Sequence, residues 1–152
     1  MSQRSDTQHK PTEPTAAGAS KGMRLPSPLD EVTEEVMSRT IGAAIAVHKA
    51  LGPGFLESIY RSAMRVELKA EGLRFECERT VRLYYRGVEL RGQRIDLVVE
   101  NSIVVELKSV MRLDDIHRSQ LVSYLRATKL RGGLLINFRV PALRLGLKRV
   151  VL

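Results

Sequence analysis

Asp96, Glu106 and Lys108 are the residues of this chain best placed to do chemistry. All three lie in one stretch, Arg94–Val110, which reads RIDLVVENSIVVELKSV. Val, Ile and Leu dominate both arms, as in a buried sheet. Burying even an uncharged polar group in such company costs roughly 2–7 kcal/mol unless it finds a partner. Strand side chains alternate with period two, so Glu106 and Lys108 share a face. A hairpin turning at Glu100–Asn101–Ser102 brings Asp96 alongside them. Two carboxylates and one ammonium on a rigid sheet suit phosphodiester hydrolysis. Carboxylate oxygens bind hard cations such as Mg2+ or Mn2+. Such an ion polarises phosphate and acidifies water, and a lysine can orient that water and offset the charge that develops. The bland alternative is a buried ion pair of Lys108 with Asp96 or Glu106, and the three residues alone do not decide between the two.

The flanking elements must position these groups. A helix is expected from about Pro28, capped by Asp30 or Thr33. Its apolar side carries Val36, Thr40, Ala43, Ala44 and Val47, and Gly52–Pro53–Gly54 ends it. His48, near its end, reads as a core or capping residue. A second helix spans roughly Leu56 to Glu71. Glu57 and Tyr60 share a face at its start. Taken alone, Glu57 is more simply a partner of the helix dipole than a third carboxylate for a cation. Phe75 to Tyr84 reads as an exposed strand, Arg86–Gly87 as a turn, and Val88 to Val99 as one long strand. Tyr84 and Tyr85 could stack on bases, but sheet packing is the simpler expectation. After the hairpin, a helix over about Asp114 to Thr128 carries His117, Gln120 and Tyr124 as one polar stripe, closed by Gly132–Gly133. Such a stripe is ordinarily solvated surface, yet Gln and Tyr also donate to phosphate oxygens. Leu134–Phe138 reads as an inner strand, and Leu145–Leu152 as a last strand or edge.

The whole chain has 152 residues, 43% hydrophobic and 28% charged, enough for one domain with a proper core. A net charge of +8 favours a polyanionic partner, nucleic acid first. Residues 1–28 are polar and Pro/Ala-rich, with Arg4, Lys10, Lys21 and Arg24, and are expected to form a disordered tail ahead of a folded domain over 29–152. No run is long enough to span a membrane, and no apolar signal-peptide core is present. Cys77 is the sole cysteine, which excludes an internal disulfide and a cysteine metal cluster and fits a cytoplasmic setting. Repeats, phosphate-cradling glycine loops and zinc spacings are absent.

Gly54-Phe55-Leu56-Glu57-Ser58-Ile59-Tyr60 resembles the signature of the GxxExxY protein family, a branch of the PD-(D/E)XK nuclease superfamily. Asp96 followed by Glu106-Leu107-Lys108 is similar to the superfamily core, and Gln120 to Tyr124 is similar to the QxxxY helix motif of its exonuclease-like branch. The resemblance covers roughly residues 32–152. It implies an α/β fold of the restriction-endonuclease-like kind, a central mixed β-sheet flanked by α-helices. It implies Asp96 and Glu106 as the main metal ligands, the Leu107 carbonyl as a backbone ligand, and Glu57 reaching the Mg2+ or Mn2+ from the preceding helix. Lys108 would position the water, while Tyr60, Gln120 and Tyr124 would steady the site or hold substrate. Ile95 stands where the superfamily often has proline.

A divalent-metal-dependent nuclease acting on DNA is the function so implied, with water attacking phosphorus and no covalent intermediate. The competing class is a catalytically silent nucleic-acid-binding or interaction module of a defence or repair complex. A third is a basic interaction protein with structural buried charges. The small domain has no evident clamp, which leaves a homodimer or a partner protein to supply substrate grip.

Overall fold

A computed structural model describes residues 27–152; the expectations for residues 1–26 lie outside the described residues. The first helix, α1, spans Glu31–Leu51. Asp30 caps it, with Oδ1 accepting from the Thr33 N–H at 3.0 Å, and Glu31 and Glu34 sit in its positive first turn. It stops at Gly52, whose φ of +71° only glycine adopts cheaply. The second helix, α2, spans Glu57–Ala70 and buries Tyr60, Met64 and Leu68, a stripe at intervals of four.

Five strands form the main sheet: β1 (Phe75–Thr80), β4 (Arg94–Val99), β5 (Ile103–Lys108), β6 (Gly132–Asn137) and β7 (Leu147–Val151), adjacent in that order. Only the β5–β6 pair is parallel. The crossover joining these two is the third helix, α3 (Asp115–Thr128), as a parallel connection requires. α1 and α2 cover one face of the sheet, with Met37, Val47, Tyr60, Met64, Leu97 and Val99 in their shared core. α3 covers the other, with Leu121 and Leu125 against Val98, Val104 and Leu135. This is the expected mixed sheet flanked by helices. No helix among the described residues is long and apolar enough to cross a membrane.

Four expectations are corrected. The segment from Phe75 to Tyr84 is not one strand: the first strand stops at Thr80, and Leu83 and Tyr84 belong to a separate two-stranded sheet. The Val88–Val99 segment is not one strand. It breaks at Arg91–Gly92–Gln93, where Gly92 takes φ +120°, so β2 (Leu83–Tyr85) and β3 (Val88–Leu90) form a separate hairpin. Its turn residues Arg86 and Gly87 both have positive φ, which suits a tight two-residue connection. Tyr84 and Tyr85 do not pack on the sheet; they are 65% and 63% exposed on that hairpin. Gly132–Gly133 does not end α3, since Lys129 does so in the left-handed conformation. Those glycines belong to β6, pressed on alternate faces: a Cβ on Gly132 would lie 3.1 Å from the Met37 methyl and one on Gly133 3.0 Å from Leu121. His48 is buried, with Nε2 2.8 Å from the Val140 carbonyl, as a core histidine should be.

Candidate metal and phosphodiester site

β4 and β5 are hydrogen-bonded neighbours only up to Leu97 opposite Val105, and there the ladder opens. On the other side of β4, no ladder pair joins Asp96 to Glu78, which stands opposite it in left-handed conformation at φ +49°. The packing alternation slips at the same point. Ile95 joins the core beneath α3, whereas Leu97 joins the core beneath α1 and α2. Asp96 is thus released from the ladder on both sides, and carboxylates take over the freed backbone donors. The Asp96 N–H donates to Glu106 Oε1 at 3.1 Å, and the Leu107 N–H donates to Asp96 Oδ2 at 2.9 Å. Since N–H and C=O of one residue in an extended strand face the same side, the Leu107 carbonyl also faces this gap.

Both acids are buried, Asp96 at 8% and Glu106 at 3% exposure. Burial, then repulsion from Asp96, pushes the Glu106 carboxyl up to about 8. Lys108 and the Asp96 N–H act in the opposite direction but do not overcome this. Glu106 is therefore held protonated at neutral pH, and a divalent cation beside it would favour its charged form. Two carboxylates and a peptide carbonyl are the donor set of Mg2+ or Mn2+, so these residues fit the ion the sequence implies.

Glu57, at the first turn of α2, stands nearby. Its carboxyl is also raised, first by burial and then by Asp96, with Lys108, Arg61 and His117 opposing. It does not meet Asp96 directly. Arg61, one turn further along α2, lies between them, 3.5 Å from Glu57 Oε1 and 3.0 Å from Asp96 Oδ1. A second nitrogen, Nε, donates to the same Asp96 oxygen at 3.1 Å, and Glu78 lies 3.8 Å from the guanidinium. Among the described residues no three His, Cys, Asp or Glu side chains converge into a ready cage for an ion. Positive charge at the acids is instead supplied by Arg61. The Glu57 and Arg61 side chains are 37% and 25% exposed, so the buried acids border the surface on their side.

Lys108 pairs with neither carboxylate. Its ammonium donates to Gln120 Oε1 at 3.2 Å, Gln120 Nε2 donates to the Tyr124 hydroxyl at 3.0 Å, and that hydroxyl donates to Gln93 Oε1 at 2.6 Å. This chain fixes the lysine from the α3 side and leaves two of its three N–H donors for other acceptors. Burial, then the charge of Glu106, raises the Tyr124 phenol. Gln93, Gln120 and Tyr124 line a groove of about 600 Å3 between α3 and the β2–β3 hairpin. Just past Lys108, buried Asn137 clamps the Val110 backbone, accepting from its N–H at 3.0 Å and donating to its carbonyl at 2.9 Å.

The structure thus gathers Glu57, Asp96, Glu106, Leu107, Lys108, Gln120 and Tyr124 into one region. Tyr60 is a correction. Expected at the substrate, it is fully buried, its ring stacked on Phe138 at 4.3 Å, and its hydroxyl is taken up by the Gly52 carbonyl and the Phe55 N–H. It pins the loop that starts α2 and cannot touch substrate. Arg61, Gln93 and Asn137 were not anticipated. For Arg61 a signal existed, a Glu–Arg pair at i, i+4 on the face of Glu57. Gln93 and Asn137 carry none in the sequence.

A family model described as the PD-(D/E)XK nuclease superfamily matches residues 34–150. Comparison with curated proteins and with solved structures returned no match.

Proposed function

Because the chain belongs to the PD-(D/E)XK nuclease superfamily, we propose that it is a divalent-metal-dependent nuclease that hydrolyses phosphodiester bonds in DNA, in a cytoplasmic setting. The observation that carries this reading is the open ladder at Asp96, where two buried carboxyl groups and a peptide carbonyl face one gap. Asp96, Glu106 and the Leu107 carbonyl would hold Mg2+ or Mn2+, and Glu57 would join them on release from Arg61. When bound, the ion supplies Lewis acidity to the phosphate and lowers the pKa of a water. Lys108, steadied by Gln120, orients that water and offsets charge on the phosphoryl oxygens. Gln120, on the groove wall, keeps one amide hydrogen for the substrate backbone, and Tyr124 holds that side chain in place. The GxxExxY segment is part of this reading, with Glu57 at the acids and Tyr60 as the internal brace of its loop.

Calorimetric Mn2+ titration of wild type and Glu106→Ala, followed by nuclease assays with Mg2+ and Mn2+, tests the proposal. Wild type should bind the ion and cut, and Glu106→Ala should do neither. Lys108→Met should abolish cutting while destabilising the fold by only about 1 kcal/mol, the worth of one hydrogen bond. The engagement of Glu57 and Asp96 by Arg61 favours a second reading, a silent binding module whose acids are neutralised from within. DNA binding with neither metal binding nor turnover would select it.

A further inference from the structure

The β2–β3 hairpin carries an apolar face that no core covers. Cross-strand partners share a face, so Leu83 with Leu90 and Tyr85 with Val88 form one surface, while Tyr84 and Glu89 lie on the reverse. Leu83, Leu90, Tyr85 and Val88 are all exposed, and none belongs to either core cluster. Leu83 also forms one wall of the groove that ends at Gln93, Gln120 and Tyr124, and Ile116 of α3, 70% exposed, stands on the wall opposite. Arg86 lies 5.6 Å from the centre of the Tyr85 ring, backing it with positive charge.

We propose that this face is a stacking platform for unpaired bases, and that the strand it takes is single-stranded or frayed at its end. The proposal rests on the nuclease reading for the identity of the polymer and adds the form of substrate. A stacking ring set among cationic side chains is what sequence-independent recognition of single strands requires; Tyr85 supplies the ring, and Arg82, Arg86 and Arg91 supply positive charge along the hairpin. Leu83 and Ile116 receive base faces, and Gln120, further along α3, leads the backbone toward Lys108. A second copy of this chain is the rival occupant, and charge disfavours it. Residues 79–94 hold five arginines against one glutamate, so two such hairpins would repel each other.

Fluorescence anisotropy in EDTA, with a labelled single-stranded oligodeoxynucleotide and the same sequence as a blunt duplex, reads this without turnover. Tyr85→Ala should weaken single-strand binding about tenfold and leave the duplex within about twofold, the range for loss of one stacked base. Tyr85→Phe should bind as wild type, and Tyr84→Ala, on the reverse face, should change little. Equal loss on both substrates, or no loss, overturns the platform and leaves the nuclease reading standing. Wild type binding neither form overturns both. A dimer in sedimentation that Tyr85→Ala dissolves also overturns the platform, because the face would then belong to self-association.

Discussion

Glu106 keeps its proton in the folded chain because burial and Asp96 both oppose its charge, raising the carboxyl to about 8 from an ordinary 4.5. The unfolded chain releases that proton near the ordinary value. Between those two pH values the folded state therefore binds more protons than the unfolded state, and stability from this group falls as pH rises from about 4.5 to about 8. Glu106→Gln should remove that part of the slope; melting temperature against pH in metal-free buffer, wild type beside variant, reads the difference. The residues behind this behaviour were largely visible in the sequence. Asp96, Glu106 and Lys108 stand out because each interrupts an apolar strand, and strand period alone puts two of them on one face. What was not visible is who neutralises whom. Arg61 reaches Asp96 across 35 residues of chain, and Lys108 turns to Gln120 rather than to an acid. Side-chain partnerships of this kind depend on how α2 and α3 settle on the sheet, which no local pattern encodes. Tyr60 misled for the same reason, since a motif position does not say whether a ring faces substrate or core.

At the scale of elements, the geometry behind Lys108 depends on a close backbone approach. A Cβ on Gly146 would lie 2.1 Å from the Asn137 carbonyl oxygen, where neither backbone can yield. Asn137 in turn clamps Val110, two residues beyond the lysine. Gly146→Ala should therefore cost about 3 kcal/mol or more, above the usual range for overpacking, and should depress activity beyond the stability loss. Thermal melts and an assay well below the melting temperature separate the two effects. Helix positions were legible because a cap, a glycine stop and apolar spacing agreed at α1, and apolar spacing agreed with a following glycine at α2. The Val88–Val99 segment was misjudged because Gly92, one residue with φ +120°, splits a run that otherwise reads as continuous. The Gly132–Gly133 pair was misjudged because its cause is Met37 and Leu121 pressing on the strand, a long-range constraint.

For the whole molecule, the net charge of +8 makes association with a polyanion depend on displaced counterions. Affinity for DNA should fall steeply with salt, and replacing Arg82, Arg86 and Arg91 together by Ala should flatten the plot of log K against log salt by about 2–3. Equal slopes for the two proteins would put the phosphate contacts elsewhere. The guanidinium of Arg61 has a wider consequence. With its own counterion already in place between Glu57 and Asp96, the chain should need no metal to finish folding, unlike small domains whose metal is their scaffold. Added Mg2+ should raise the melting temperature only by mass action, and a chelator should return it to baseline without unfolding the protein. Metal starvation in a cell would then leave the molecule idle but whole, ready to work again once supply recovers and spared from quality control meanwhile.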